Sequence, residues 1–213
     1  MKILVLFLSL FMFSFSGQAR TTANKTSKKL TYSQARQKLK GLSLVGYLNT
    51  ATRLPLTFGA GQVDAKSQNA FGLGAEYKVK MQPKTSKTPV SVIGGLVYET
   101  PRDLTAINNA GNQTTFNNVS NPSFSMLLGY ANVGFDMTDQ AMFFGGLNFP
   151  VPFESDFQGI SLSGSLGWQT GVAMTFTRSF GMDVSYRWVN LTGNNGLNRI
   201  DVDGLQLQGR YIF

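Results

Sequence analysis

Apolar and polar residues of this chain alternate with a period of two from Gly41 to the C-terminus. The segment 69–80 shows the pattern most clearly, with apolar side chains on one face and glycine or charge on the other. The two faces are Phe71, Leu73, Ala75, Tyr77 and Val79 against Gly72, Gly74, Glu76, Lys78 and Lys80. Segments 163–177, 181–191 and 204–213 repeat it. Because helical side chains recur every 3.6 residues, this alternation predicts β-strands.

Four further segments complete a set of eight predicted strands: 41–51, 89–100, 122–136 and 140–149. The last two carry apolar residues on both faces, so the pattern does not assign their inside and outside. Long connectors (53–66, 101–121, 150–159 and 192–203) alternate with short ones (82–88, 137–139 and 178–180). An even strand number with this alternation predicts an all-β fold, an eight-stranded antiparallel up-and-down transmembrane β-barrel with both ends in the periplasm.

A water-soluble eight-stranded barrel of the lipocalin type would show the same alternation, with the apolar face turned inward. Two features favour the membrane. The polar face carries little charge for a surface that meets water, and aromatic residues fall near the predicted strand ends, as membrane interfaces require. These aromatic residues are Phe71, Tyr98, Phe176, Trp188 and Tyr211.

The first 40 residues do not share the pattern. Residues 1–19 combine a lysine, an apolar run and small residues before a cleavage position, which predicts a signal peptide; the run is short for a membrane anchor helix. Residues 20–40 are predicted to form a mobile, basic periplasmic tail. Its cations are Arg20, Lys25, Lys28, Lys29, Arg36, Lys38 and Lys40. The tail is either a solvated spacer or a contact to peptidoglycan, lipid phosphates or an acidic envelope protein. Residues 41–213 are neutral overall, so no nucleic acid is expected.

The chain contains no cysteine and no histidine. A disulfide framework is therefore excluded, and the usual general base of hydrolytic barrels is missing. Glu154 and Asp156 form a carboxylate pair in a predicted loop, where nothing tunes their acidity. Asp201 and Asp203 offer oxygen ligands without the spacing of a known calcium loop. We predict no enzyme activity, no metal and no cofactor.

The alternation at the C-terminus resembles the signature of bacterial outer-membrane proteins, which ends on an aromatic residue. The residues concerned are Leu205, Leu207, Gly209, Tyr211 and Phe213. The segment 167–188, with its tight turn, is similar to the penultimate hairpin of small barrels such as the OmpA transmembrane domain, OmpX and OmpW. The resemblance implies a location in the Gram-negative outer membrane, contact with its lipid, and an assembly signal read by the barrel assembly machinery. That signal consists of Leu205, Leu207, Tyr211 and Phe213.

Charged side chains on the inward face must pair inside a narrow lumen. We therefore expect a polar network of Glu76, Lys78, Asp183, Arg187 and Arg210, with Glu99 apart from it near the outer mouth. This network either fills and fixes the lumen or acts as a gate.

The function favoured by this pattern is structural: an envelope barrel that displays surface loops, anchors the envelope or joins a larger assembly. The alternative is a binder or passage for small apolar molecules. It rests on Ile93, Val97 and Val189 on the inward face and on apolar side chains in two connectors: Leu54, Leu56, Phe58, Val151, Phe153 and Phe157. Side openings in an apolar lumen would favour this alternative. The Asn- and Thr-rich segment 101–121 also fits a surface-recognition loop or a plain connector.

Overall fold

The computed structural model describes residues 41–59, 61–81, 89–109, 112–115, 121–153 and 160–213. Within these ranges the chain forms eleven β-strands. They are β1 (Gly41–Asn49), β2 (Arg53–Phe58), β3 (Gly61–Ser67), β4 (Ala70–Met81), β5 (Val90–Asn109), β6 (Asn112–Thr115), β7 (Ser123–Asp136), β8 (Ala141–Phe153), β9 (Leu162–Thr175), β10 (Phe180–Gly193) and β11 (Leu197–Ile212). None of the described residues belongs to a helix long and apolar enough to cross a membrane.

Eight of these strands form a closed antiparallel ring in the order β1, β4, β5, β7, β8, β9, β10, β11. The ring closes where β1 pairs with β11, from Ser43 opposite Ile212 to Asn49 opposite Gln206. The eight strands correspond to the eight segments predicted from the alternation, so the predicted fold class is confirmed. Closure leaves no unpaired edge in this part of the barrel.

The first long connector is not a loop. Residues 53–66 fall within the β2–β3 hairpin, in which β2 pairs with β11 and β3 pairs with β5. The hairpin therefore extends the wall of the barrel, with β2 above β1 and β3 above β4. Breaks at residues 50–52 and 68–69 separate each lower strand from its upper continuation.

The segment 192–203 was also wrongly predicted as a long connector. β10 and β11 run through it and meet in a turn at residues 194–196, closed by a hydrogen bond from Leu197 N to Asn194 O. Asn195 and Gly196 both have positive φ, at 53° and 88°, which is the conformation of a tight hairpin turn. Likewise, β5 continues to Asn109 and pairs with β6, and β8 continues to Phe153. Residues 154–159 lie outside the described part of the chain.

The structure also assigns the faces of the fourth and fifth ring strands. On β7, Phe124, Met126, Leu128, Tyr130 and Asn132 are buried in the lumen. On β8, the inward side chains are Met142, Phe144 and Asn148, while Phe143, Leu147 and Phe149 are exposed on the outside. On these two strands, apolar side chains occupy the inward face as well as the outward face, which is why the sequence pattern did not distinguish the two faces.

Candidate functional site: the barrel lumen

The lower section of the barrel, next to its short turns and the Phe213 terminus, is polar inside and apolar outside. On β11, Gln206, Gln208 and Arg210 are buried, whereas Leu205 and Leu207 are exposed. The same division holds around the ring. Exposed apolar side chains include Leu42, Leu44, Leu73, Tyr77, Leu96, Tyr98, Phe143, Leu147, Leu166, Trp168, Val184 and Tyr211. An exterior of this kind suits a hydrocarbon solvent.

The outer section reverses this polarity on the same strands. Its lumen holds an apolar core of fully buried side chains: Ala51, Leu54, Leu56, Ala65, Leu104, Phe124, Met126, Leu128, Val189, Leu191, Leu197, Ile200 and Val202. Its outer surface carries Arg53, Asp64, Arg199, Asp201 and Asp203 instead. This section therefore has the polarity of a barrel that stands in water.

An ionic cluster fills the lower lumen around Arg210. Its Nε lies 2.5 Å from Glu76 Oε1, and its Nη2 donates to Asp183 Oδ2. Gln208 Nε2 adds a hydrogen bond of 3.1 Å to the same Asp183 oxygen. One guanidinium thus pairs with two buried carboxylates, either of which would be costly to bury without a partner. Lys78, which we expected to share in this pairing, donates to Met142 Sδ at 3.2 Å instead.

Arg187 has a different environment. It is 2% exposed, and its Nε donates to Gln169 Oε1 at 2.7 Å. Its guanidinium carbon lies 4.9 Å from the centroid of the Tyr47 ring and 5.7 Å from that of Tyr130. These distances are those of cation–π contacts.

Each of these tyrosines is bonded to a glutamate. Tyr47 donates to Glu99 Oε2 at 2.8 Å, and Tyr130 donates to Glu76 Oε2 at 2.9 Å. Arg187 is therefore connected to the two glutamates through the tyrosine rings. No direct ion pair of Arg187 with a carboxylate occurs among the described residues. Sequence reasoning missed both tyrosines as partners, because alternation places a residue on a face without giving its neighbours across the lumen.

Two glycines make room for the tyrosine rings. A Cβ atom on Gly72 would lie 2.2 Å from the Tyr47 ring, and one on Gly95 would lie 2.2 Å from the Tyr130 ring. Both distances are far inside van der Waals contact. Glycine is therefore required at these positions for the rings to cross the lumen.

Arg102 joins the upper hairpin to the lower barrel. It is 0% exposed and forms a 3.0 Å ion pair with Glu99. It also donates to the carbonyl oxygen of Ala51 and, at 3.4 Å, to that of Gln68. These carbonyls lie at the two strand breaks, so the Arg102 side chain links the two breaks. We expected Glu99 near the outer mouth; it lies at mid-height, because β5 continues for ten residues beyond it.

The lumen is closely packed. A cavity of about 10 Å³, the space of about one water molecule, lies among the ionic cluster, Tyr130, Gln169 and Arg187. Above it, the apolar core side chains are at most 2% exposed. Buried side chains thus occupy the lumen both around this cavity and in the section above it.

The other predicted sites have separate positions. Leu205, Leu207, Tyr211 and Phe213 are exposed on the outer face of β11 and just beyond it, and the Tyr211 and Phe213 rings meet edge to face at 5.3 Å. Asp201 pairs with Arg199, and Asp203 accepts a 2.5 Å hydrogen bond from Tyr186, so both lie in a strand and not in a polar turn.

No cluster of three or more potential metal-binding side chains occurs among the described residues. Glu154, Asp156, Phe157 and the basic tail (Lys25, Lys28, Lys29, Arg36, Lys38, Lys40) lie outside them.

Aromatic side chains mark both borders of the apolar exterior. Phe176, Phe180, Tyr211 and Phe213 lie at the lower rim, while Phe71, Tyr98, Trp168 and Trp188 lie where the polarity reverses. Closed antiparallel strands, an apolar belt and two aromatic girdles define a small β-barrel of the bacterial outer-membrane class.

Matches among solved structures include the outer membrane protein OprG and the attachment invasion locus protein Ail. OprG of Pseudomonas aeruginosa is 14% identical over 82% of this chain and 96% of its own, with a TM-score of 0.46. Ail of Yersinia pestis is 17% identical over 82% of this chain and 99% of its own, with a TM-score of 0.45. A second Ail structure, in complex with the heparin analogue sucrose octasulfate, is 16% identical with a TM-score of 0.41. No family model and no curated protein matches the chain.

Proposed function

We propose that the protein is a structural barrel of the outer membrane that holds a rigid, water-exposed section above the lipid. The observation that carries this proposal is the filled lumen. An ionic cluster occupies its lower part and an apolar core of buried side chains its upper part, so the strands serve to build a stable support instead of a channel. The support would display the outer turns, such as residues 194–196, at the cell surface.

Conductance in a planar lipid bilayer tests this proposal. Folding is first verified by the heat-dependent shift of the detergent-extracted protein on a gel. The folded protein should then leave the bilayer resistance unchanged, because buried side chains occupy the lumen. Regular conductance steps from folded protein would refute the structural proposal.

A passage for small apolar molecules is the second candidate, and a seam in the barrel wall favours it. The pairing of β8 with β9 ends at Asn148 opposite Gly167, although β8 continues to Phe153. Pro150 and Pro152 lie in this stretch, which pairs with β7 on one side and is unpaired on the side of β9, where the carbonyl oxygen of Pro150 packs against Gly164. Because proline has no N–H, the ladder cannot continue at these residues. The seam borders the apolar core.

Binding of an apolar fluorophore such as N-phenyl-1-naphthylamine separates the two candidates. The structural proposal predicts the emission seen with empty vesicles. A passage predicts enhanced emission that falls in the variant Leu191→Arg, which places a charge in the apolar core. The exposed substitution Gln62→Arg is the matched control and should leave any such emission unchanged.

We also propose that the outward-facing C-terminal residues serve as the assembly signal and that the basic tail contacts anionic envelope polymers. Replacing Phe213 by serine should lower the amount of folded barrel in cells but leave refolding into pure lipid vesicles intact. Deleting residues 20–40 should abolish co-sedimentation with peptidoglycan at low salt. If the Phe213→Ser variant assembles in cells as well as the unchanged protein, the C-terminal residues are not the assembly signal. If co-sedimentation is unchanged without residues 20–40, the basic tail does not bind peptidoglycan.

A further inference from the structure

The outer border of the apolar exterior is uneven around the barrel. On β8, exposed apolar side chains continue beyond Leu147 to Phe149, Val151 and Phe153, which are 48%, 43% and 45% exposed. Val151 and Phe153 lie ten and twelve residues above Ala141, where β8 begins at the lower rim. The apolar face of this strand therefore extends over its whole length.

The opposite side of the barrel becomes polar at a lower level. Beyond the end of β1, the exterior changes to Thr50 and Thr52, nine and eleven residues above Gly41, and then to the ion pair of Arg53 with Asp64. On β11, Asp203 and Asp201 lie nine and eleven residues above Ile212. In the ring order, β8 stands four strands away from β1, which is the diametrically opposite position among eight.

From this asymmetry we propose that the outer-leaflet lipid contacts the barrel along a slanted border, high at β8 and low at β1 and β11. The surface of Phe149, Val151 and Phe153 continues directly from the lipid-facing belt on the same face of the same strand, so lipid chains are its occupant. The paired charges opposite to it lie among head groups or in water, since carrying them into hydrocarbon is costly. The barrel axis is then tilted towards β8, or the leaflet is locally thicker there.

Spin-label accessibility in lipid vesicles tests this inference. The chain has no cysteine, so single variants carry one label each. Val151→Cys and Phe153→Cys probe the high side, and Thr52→Cys is their counterpart at matched height on the low side. Leu147→Cys gives the value for lipid and Gln62→Cys the value for water. Folding of each variant is verified by its heat-dependent gel shift.

We expect the labels at 151 and 153 to show the ratio of oxygen to nickel-chelate collisions found at 147. The label at 52 should show the ratio found at 62. Aqueous values at 151 and 153 would overturn the inference, because the apolar surface would then stand above the lipid. Spin–spin broadening between labels at 151 would also overturn it, since a second copy of the chain would then cover this surface.

Discussion

Tyr47 and Tyr130 both contact the Arg187 guanidinium with their rings, and each donates a hydrogen bond from its hydroxyl to a different glutamate. The resulting chain of contacts runs from Glu99 through Tyr47, Arg187 and Tyr130 to Glu76. It connects the ion pair at the strand breaks with the ionic cluster below. A change at either ring should therefore affect both ends of this network.

Substitution of Gly95 by alanine tests the packing of this network. The added Cβ would overlap the Tyr130 ring, so we expect a loss of about 1–3 kcal/mol in the free energy of unfolding. Gly94 is the matched control, because a Cβ there meets nothing closer than a backbone oxygen at 4.0 Å. Urea-induced unfolding in lipid vesicles measures both. Equal stability of Gly95→Ala and Gly94→Ala would contradict the tight contact at Tyr130.

Substitution of Arg210 by methionine should be strongly destabilising. It leaves Glu76 and Asp183 as two buried carboxylates without their counter-charge, at a cost of about 3–5 kcal/mol. The triple variant Glu76→Gln, Asp183→Asn, Arg210→Met removes all three charges and should recover most of the loss. The same unfolding measurement checks this prediction. A triple variant as unstable as the single one would mean that shape, and not charge, sets the requirement for Arg210.

Substitution of Arg102 by methionine should loosen the β2–β3 hairpin. The variant loses the donors to the Ala51 and Gln68 carbonyls at the two strand breaks, and Glu99 loses its ion-pair partner. Hydrogen exchange should become faster in residues 53–67 and stay slow in residues 141–148, which pair on both sides. The variant Arg178→Met, at an exposed residue of the turn between β9 and β10, serves as the control. Uniformly faster exchange along the whole chain would instead indicate global destabilisation.

Substitution of Leu191 by asparagine places an amide in the apolar core. The side chain is 0% exposed and surrounded by aliphatic residues, so we expect a loss of at least about 2 kcal/mol. The exposed substitution Asn198→Asp should change stability by no more than about 0.5 kcal/mol. A near-neutral Leu191→Asn variant would show that water enters the outer lumen, which would weaken the structural proposal.

The sequence was sufficient to predict the eight ring strands. Lipid outside and polar groups inside determine which residues of the alternation face each way, except on β7 and β8, where the pattern did not assign the faces. It was misleading for the outer section. There the inward positions of the same strands change from polar to apolar residues, such as Val189, Leu191 and Val202. Polar residues facing outward and apolar residues facing inward there looked like long loops. The Asn195-Gly196 turn was a sequence signal for the β10–β11 hairpin that we overlooked.

The network was only partly predictable for a related reason. Alternation placed the five charged residues of the expected network on the inward face, and all five are buried, but pairing depends on the tilt and register of distant strands. These residues are Glu76, Lys78, Asp183, Arg187 and Arg210. Arg102 was missed entirely, because it follows Glu99 by three residues across an irregularity in the pairing of β5 with β7. A residue beyond such a shift cannot be assigned to a face by counting.

The reversal of polarity along β10 and β11 also fixes the depth of the protein in its bilayer. A shift by one layer of side chains into the cell would bring Asp203 into hydrocarbon, and the opposite shift would lift Leu205 and Trp168 into water. Both displacements cost free energy, so the barrel has one preferred depth in the bilayer. The height of its outer turns above the cell is then set by the strands themselves.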